Sequence, residues 1–328
     1  MTPFLTIFTT PKPFTNPHIA VIQRNALRNW TRLGAEVQVL AIGEEAGLAE
    51  AAQELGVGFV PQVQRNAQGT PLVSDIFRQA RCSSESPFLA YVNADMLLLP
   101  DILQATRTLS QTGANFLMVG QRWDLDMLQA DGSTQELPFQ QGWEQALRDL
   151  VRQRGQLHPP AGSDYFIFPR QGFVQMPDFA IGRAGWDNWM IYAARKQGWL
   201  VVDATQAVQV IHQNHDYSHL PGGQPHYRLP ETHENVRLAG GRNTVFTLQD
   251  ASHTLAGDGL RPIPLTGKKR LREMETWPLR KLGGKAGLIL GEAAFAIFHP
   301  VKAWGKLRGL VQYQVRKRLG GRAGKQHE

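Results

Sequence analysis

The residues best suited to chemistry in this 328-residue sequence are carboxylates and histidines at three separate places. Asp95 is the third residue after the apolar run 88–92, and Asp187 stands near the start of a predicted helix. Three histidines fall within residues 212–219. Hard oxygen ligands together with an imidazole suit Mn²⁺ or Mg²⁺, and such a cation can absorb charge when a diphosphate leaves carbon. We therefore expect a divalent cation site that works on a diphosphate.

The elements that would position these residues alternate between short apolar strands and helices. Residues 4–8, 37–42 and 88–92 are strand-like, and the apolar spacing over 18–33 is typical of a helix. Nearly continuous apolar strands between helices favour a parallel sheet covered on both faces. The sequence predicts an α/β fold built on an open Rossmann-type sheet with helices on both faces.

Polar residues follow two of the predicted strands, where the ligands of such sheets bind. Thr9 and Thr10 come after the first strand, and Asn93 and Asp95 come after residues 88–92. No G-x-G-x-x-G motif follows the first strand, and G-x-x-x-x-G-K-[ST] occurs nowhere in the sequence. This argues against a dinucleotide dehydrogenase and a P-loop NTPase.

The composition excludes other classes of protein. Hydrophobic residues make up 42% of the chain and charged residues 19%, which is too apolar for a disordered protein. A single cysteine, Cys82, excludes an internal disulfide and a cysteine-based zinc cluster. Residues 1–10 resemble a strand rather than a cleaved signal, so we expect a cytoplasmic protein.

The order of these motifs resembles that of GT-A glycosyltransferases, the nucleotide-diphospho-sugar transferase superfamily, and is family-2-like. Asn93-Ala94-Asp95 stands where that superfamily carries its D-x-D metal motif. Gly185-Trp186-Asp187-Asn188 is similar to the segment that supplies a catalytic carboxylate, and the histidines within 212–219 follow at about the distance of a metal-binding histidine. The resemblance covers roughly residues 1–220. Asn93 departs from the motif, because an amide brings no charge to a cation.

The resemblance implies a transferase that moves a sugar from a nucleotide-diphosphate donor to an acceptor hydroxyl, an EC 2.4 hexosyltransferase-like activity assisted by Mn²⁺ or Mg²⁺. Asp187 would act as the general base for the acceptor hydroxyl. Asp95 and one of His212 or His215 would hold the cation. The donor side would comprise Thr9, Thr10, Lys12, Asp75, Asn93 and Asp95, and the acceptor side would comprise Asp164, Arg183, Trp186, Asn188 and Trp189.

The charge is divided unevenly along the chain. Residues 268–328 carry fifteen Lys or Arg against four Glu, whereas residues 1–267 carry a net charge of −4. We expect a catalytic domain over 1–220, with a nucleotide-sugar half (1–115) and an acceptor half (116–220). A loop or linker over 221–267 and a basic helical extension over 268–328 would follow.

A helix is predicted after Pro300, with an apolar arc that includes Trp304 and a basic opposite side. It would lie on an anionic inner membrane surface, near a glycan or lipid-linked acceptor, or pack on the body as an ordinary helix. We expect no nucleic-acid partner, because no known binding module accompanies the charge.

Alternative interpretations stay open at this stage. The fold could belong to a non-catalytic protein that binds a nucleotide sugar or a glycan, as Asn93 would allow. A sugar-1-phosphate nucleotidyltransferase would need a Gly-rich basic loop after the first strand, and residues 9–13 do not supply one. Asp187 and Asp75 are also ordinary acids for the first turn of a helix. Inversion and retention at the anomeric carbon are both possible.

Overall fold

The computed structural model describes residues 2–129, 131, 133–215, 229–282, 284–305 and 308. The chain forms two compact units, residues 1–263 and residues 264–328. Within the described residues, no helix is both long enough and apolar enough to cross a bilayer.

The first unit is built on a nine-stranded sheet in the order β13-β12-β10-β6-β9-β4-β1-β2-β3. Most neighbouring pairs are parallel, and β9 runs antiparallel to both β4 and β6. The strands are β1 (Leu5–Thr9), β2 (Val37–Ile42), β3 (Gly58–Val60), β4 (Phe88–Val92), β5 (Met96–Leu97), β6 (Phe116–Val119), β7 (Arg122–Leu125), β8 (Gln156–Leu157), β9 (Tyr165–Pro169), β10 (Leu200–Asp203), β11 (Val210–Gln213), β12 (His253–Ala256) and β13 (Gly259–Pro262).

Helices flank this sheet, which confirms the predicted α/β fold. The first helix begins where the Asn16 side chain accepts a hydrogen bond from the backbone N–H of Ile19, and it buries Ile22, Ala26 and Trp30. The helices are α1 (Pro17–Thr31), α2 (Leu48–Leu55), α3 (Val73–Cys82), α4 (Asp101–Ser110), α5 (Trp143–Arg154), α6 (Trp186–Lys196), α7 (Pro230–Leu238), α8 (Gly267–Lys281) and α9 (Gly284–Phe298).

The register of the central strands brings the polar strand ends together. Strands β1 and β4 are parallel neighbours, so Thr10 and Asn93 leave the sheet at the same edge. Strand β9 begins at that edge because it is antiparallel to β4, with Tyr165 opposite Val92. Asp164, the residue before β9, therefore lies beside Asn93, and its backbone carbonyl accepts the Asn93 N–H at 2.9 Å.

A second, four-stranded sheet has the order β5-β11-β7-β8. His212 on β11 is the register partner of Met96 on one side and of Asp124 on the other. Asp124 is in turn opposite Gln156 on β8. This small sheet therefore aligns Asp95, the residue before β5, with residues of two distant parts of the chain.

The structure corrects the prediction of a loop or linker over 221–267. Helix α7 and strands β12 and β13 lie within that range, and the first compact unit continues to Ile263. Strand β12 extends the main sheet by pairing in parallel with β10, Val202 opposite His253. Pro, Gly and polar residues concealed these short elements, because four-residue strands carry too little periodicity to stand out. Residues 221–228 of the range lie outside the described residues.

The second unit contains α8 and α9, which two residues separate in the sequence. The two helices approach closely because α9 presents glycines to α8: a Cβ at Gly291 would lie 2.6 Å from the Leu279 side chain. A Cβ at Gly287 would lie 3.1 Å from the Pro278 carbonyl oxygen. Residues 300–305 are helical, in agreement with the predicted start after Pro300. The remainder of that predicted helix lies almost wholly outside the described residues.

Candidate functional site

A cavity of about 610 Å³ opens at the carboxyl edge of β1 and β4. It unites most of the residues that the sequence singles out from distant parts of the chain. These predicted residues line it: Thr10, Lys12, Asn93, Asp95, Asp164, Arg183, Trp186, Asp187, Asn188, His212 and His215.

Asp95, His212 and His215 form a compact group on one side of this cavity. Their ligand atoms all lie within 4.8 Å of one another. The Nε2 atoms of His215 and His212 are 3.0 Å and 3.8 Å from Asp95 Oδ2. The other carboxylate oxygen, Oδ1, is buried and has no hydrogen-bond partner among the described residues. One carboxylate and two imidazoles with an unused buried oxygen fit a divalent cation such as Mn²⁺.

The charge state of Asp95 suits this role. Burial alone would raise its pKa, but the hydrogen bond with His215 and the charges of His212 and Lys12 outweigh burial. The pKa of Asp95 is thus held well below its usual range, and the side chain is an anion at neutral pH. The backbone is fixed as well, because the Asp95 carbonyl accepts hydrogen bonds from Gln213 N at 3.0 Å and Gln213 Nε2 at 3.2 Å.

Sequence reasoning missed a second layer of residues behind His212. Asp124 accepts from His158 Nδ1 at 2.7 Å and lies 3.2 Å from His212 Nδ1. Arg122 Nε donates to the same carboxylate at 2.9 Å. These contacts hold the pKa of Asp124 well below its usual range against the opposing effect of burial. A metal-binding imidazole is commonly oriented by a carboxylate on its other nitrogen, and Asp124 stands in that position toward His212.

Asn93 faces a carboxylate instead of the histidine cluster. Its Nδ2 donates to Asp164 Oδ1 at 2.9 Å, and Arg122 Nη1 contacts Asp164 Oδ2 at 2.5 Å. An aspartate at position 93 would place two anions side by side. The departure from D-x-D thus has a physical reason, since the amide of Asn93 can donate to Asp164 whereas a carboxylate cannot.

Asp187 lines the same cavity from the first turn of α6. Its Oδ1 accepts from the backbone N–H of Gly185 at 3.1 Å. Gly185 has a φ of +112°, a conformation that disfavours any side chain there. Burial raises the pKa of Asp187, the nearby charge of Asp164 adds to this, and backbone N–H groups oppose it only in part. A carboxylate with a raised pKa is suited to accept a proton.

Aromatic rings surround this second carboxylate. Trp186 is 6% exposed, and its ring centroid lies 5.0 Å from that of Tyr91 in an edge-on arrangement. Burial, together with the charges of nearby carboxylates that include Asp187, raises the pKa of Tyr91, which stays a neutral phenol. Trp189 packs against Phe179 and is not among the residues that line the cavity.

The two remaining acceptor-side residues are held by α7 and the segment after it. Arg183 Nε pairs with Glu231 Oε2 at 2.8 Å. Asn188 Nδ2 donates to the Phe246 carbonyl at 2.7 Å. Arg183 and Asn188 both line the cavity, and their partners Glu231 and Phe246 belong to the region predicted to be a linker. That region therefore helps to position residues of the site.

The structure places Asp75 and Thr9 away from the cavity lining. Asp75 is 3% exposed, and its carboxylate accepts from Gln64 N at 2.8 Å and pairs with Arg78. It supports the chain before α3, as an acid in a first helical turn commonly does. Thr9 is the last residue of β1 and fully buried. Neither position is in place to touch a ligand in the cavity.

The cavity is also lined by one acid, close to the end of β2, that sequence reasoning missed. Glu45 lies three residues after β2, and its Oε1 pairs with Arg65 Nη2 at 2.9 Å. Within the part of the chain that the structure describes, its buried Oε2 has no hydrogen-bond partner, and neither has the hydroxyl of Thr10. Gln23 fixes the backbone of Lys12 with two hydrogen bonds, of 2.6 Å and 2.9 Å. Because Glu45 lies just after a parallel strand, the sequence alone could have predicted it as a site residue.

No family model matches the sequence, and no curated protein matches it. The structure is similar to glucosyl-3-phosphoglycerate synthase from Mycobacterium tuberculosis. Its complex with Mn²⁺, UDP and phosphoglyceric acid shares 13% identity over 73% of this chain and 80% of that chain, with a TM-score of 0.44. Its complex with Mg²⁺ and UDP shares 14% identity over 83% and 92%, with a TM-score of 0.43.

Proposed function

We propose that this chain is a glycosyltransferase that uses a nucleotide-diphospho-sugar donor and a divalent cation. One observation carries the proposal: the group Asp95, His212 and His215 and the carboxylate Asp187 line a single cavity. Two carboxylates whose environments move their pKa values in opposite directions are typical of a catalytic site.

On the donor side, Asp95 with His212 and His215 would hold the cation. When bound, Mn²⁺ or Mg²⁺ supplies positive charge that stabilises the departing diphosphate. Lys12 and Thr10 line the cavity at the end of β1, within reach of the same ligand. Lys12 adds a second positive charge on this side of the cavity.

On the acceptor side, Asp187 would take the proton of the acceptor hydroxyl. The hydroxyl oxygen then bonds to the anomeric carbon while the bond from that carbon to the diphosphate breaks. Attack assisted by a base on the opposite face favours inversion. Asp164, Arg183, Trp186 and Asn188 would contact a glycan or lipid-linked acceptor, since an indole can pack on the apolar face of a sugar.

A screen for nucleotide release tests this proposal. Candidate UDP- and GDP-sugars are offered with Mn²⁺ or Mg²⁺ and a panel of sugar acceptors. We expect one donor to be turned over by the wild type and not by Asp187→Ala, with donor binding retained in the variant. Asp149→Ala, which changes an exposed acid of α5, serves as the matched control and should keep activity.

The alternative function is a non-catalytic protein that binds a nucleotide sugar or a glycan. Asn93 favours it, because the first charge of D-x-D is missing. Donor binding by the wild type with no turnover for any donor and acceptor would support this alternative and contradict the transferase. We also propose a cytoplasmic location at the inner face of the membrane, which a fractionation of cells that express the full chain would test.

A further inference from the structure

The second unit carries an apolar surface that faces solvent. Ile289, Leu290 and Ile297 of α9 are exposed by 67%, 48% and 75%. The opposite side of α9 is the one that packs on α8, through Gly287 and Gly291. The exposed side is therefore not the side that stabilises the hairpin.

Helical periodicity makes this exposure continuous. At 100° per residue, the exposed alanine and isoleucine or leucine side chains of α9 fall within an arc of about 120° that contains no charged residue. Lys285 and Glu292, the charged residues of α9, lie outside the arc. We call this surface the α9 apolar face; it consists of Ala286, Ile289, Leu290, Ala293, Ala296 and Ile297.

Helix α8 adds an exposed strip of mixed character. Arg270, Met274, Trp277 and Lys281 recur at helical spacing, and Met274 and Trp277 are exposed by 55% and 51%. Two apolar side chains are thus enclosed between two cations. A tryptophan between cations is typical of helices at a membrane–water interface.

Exposed basic residues outnumber exposed acids around these surfaces. Three basic residues of α8 pair with Glu273 or Glu275 within the unit. Of the acids that the structure describes here, Glu292 is the one classed as exposed. Among the described residues of the second unit, the exposed cations are Lys268, Arg270, Lys281, Lys285, Lys302 and Arg308.

We propose that the α9 apolar face docks onto an anionic lipid bilayer, with the surrounding cations against lipid headgroups. A contiguous exposed apolar face marks an interaction surface, and its charge selects the partner. Two copies of the face would bring like charges together, whereas an anionic leaflet attracts them. Helix α9 has 15 residues and lies in the interface rather than across it.

This proposal assigns membrane contact to a different element from the one that the sequence indicates. The sequence points to the helix after Pro300, where Val301 and Trp304 are also exposed, by 84% and 63%. The α9 apolar face belongs to the helix just before it. The inference does not depend on the glycosyltransferase activity, because lipid binding is measured without any substrate.

Co-flotation with lipid vesicles tests the proposal with the full chain. Vesicles of phosphatidylcholine with and without phosphatidylglycerol are compared, and the bound fraction is measured. We expect binding to the anionic vesicles only. The double variant Ile289→Gln/Ile297→Gln should weaken binding by about tenfold or more for each side chain removed from lipid. Lys281→Gln/Lys285→Gln should weaken it by about fivefold per lysine.

Matched controls exclude a general effect of surface substitution. Leu128→Gln/Val174→Gln removes two exposed apolar side chains of the first unit, 51% and 63% exposed, and should bind like the wild type. Circular dichroism confirms that each variant is folded. Equal flotation of wild type and the α9 variant would overturn the proposal, as would absence of wild-type binding. If the wild type does not bind vesicles but forms a dimer in solution, and the α9 variant is monomeric, the face would be assigned to contact with a second copy.

Discussion

The Asp95 side of the cavity and the Asp187 side differ in what surrounds the carboxylate. Asp95 contacts imidazoles and senses the charge of Lys12, and its pKa falls. Asp187 has Trp186 and Tyr91 nearby and backbone N–H groups as partners, and its pKa rises. One side stabilises an anion that can hold a cation, and the other keeps a carboxylate ready to take a proton.

The largest expected effect is on the cation side. Asp95→Asn removes the anionic ligand but keeps the shape of the side chain. We expect Mn²⁺ affinity to fall by at least about a hundredfold, and turnover with it, because even residues behind a metal ligand contribute about 10- to 100-fold. Titration of Mn²⁺ followed by electron paramagnetic resonance measures this. Unchanged Mn²⁺ affinity would show that Asp95 is not a ligand of the metal.

Asp187→Asn should affect the opposite side alone. We expect kcat to fall by about 10²- to 10⁴-fold, the usual contribution of a general base, while Mn²⁺ affinity stays the same. Steady-state kinetics and the same titration separate the two effects. If Mn²⁺ affinity and kcat both fell in the variant, the two sides would not be independent. Asp149→Asn should change neither quantity.

Asp124→Asn tests whether a residue behind His212 acts through it. An amide oxygen can accept from one imidazole, so the orientation of His212 is weakened while the volume is kept. We expect Mn²⁺ affinity to fall by about 10- to 100-fold. His158→Gln is the matched control, because it removes the other imidazole on Asp124; we expect a much smaller change in affinity. Equal losses in both variants would indicate a structural role only.

The smallest effect concerns stability. The pKa of Asp187 is raised in the folded protein, so the charged carboxylate costs stability at pH values above that pKa. Asp187→Asn should therefore raise Tm by about 2 °C or more at neutral pH. This gain should shrink as pH falls and wild-type Asp187 takes up its proton. A gain that does not vary with pH would contradict the raised pKa.

The kcat of the wild type should fall as pH decreases through the same pKa, at a higher pH than an ordinary aspartate would give.

The main features of the fold were predictable because their signals are local. Apolar runs such as residues 88–92 indicate buried parallel strands, and the residues that follow them must lie at one edge of the sheet. Asn93 and Asp95 were found in this way. Asp187 was found from the sequence that opens α6, and the family resemblance then gave a role to each of these positions.

The rest depends on contacts between distant residues. Asp124 and His158 belong to short strands or loops, and only the pairing of β7 with β11 reveals that Asp124 faces His212. Asp75 looks like a site residue in the sequence, yet the backbone of Gln64 uses its carboxylate. The strand pair β12–β13 was hidden in a polar segment, where composition indicates a loop.

Soaking crystals of the full chain with Mn²⁺ and UDP tests the central claim most directly. The measurement is an anomalous difference map recorded at the manganese absorption edge. We expect a peak bonded to Asp95 and to at least one of His212 and His215, with the diphosphate on it and Asp187 across the cavity. If crystals soaked at saturating Mn²⁺ and UDP showed no peak at Asp95, or showed the nucleotide bound elsewhere, the claim would be contradicted.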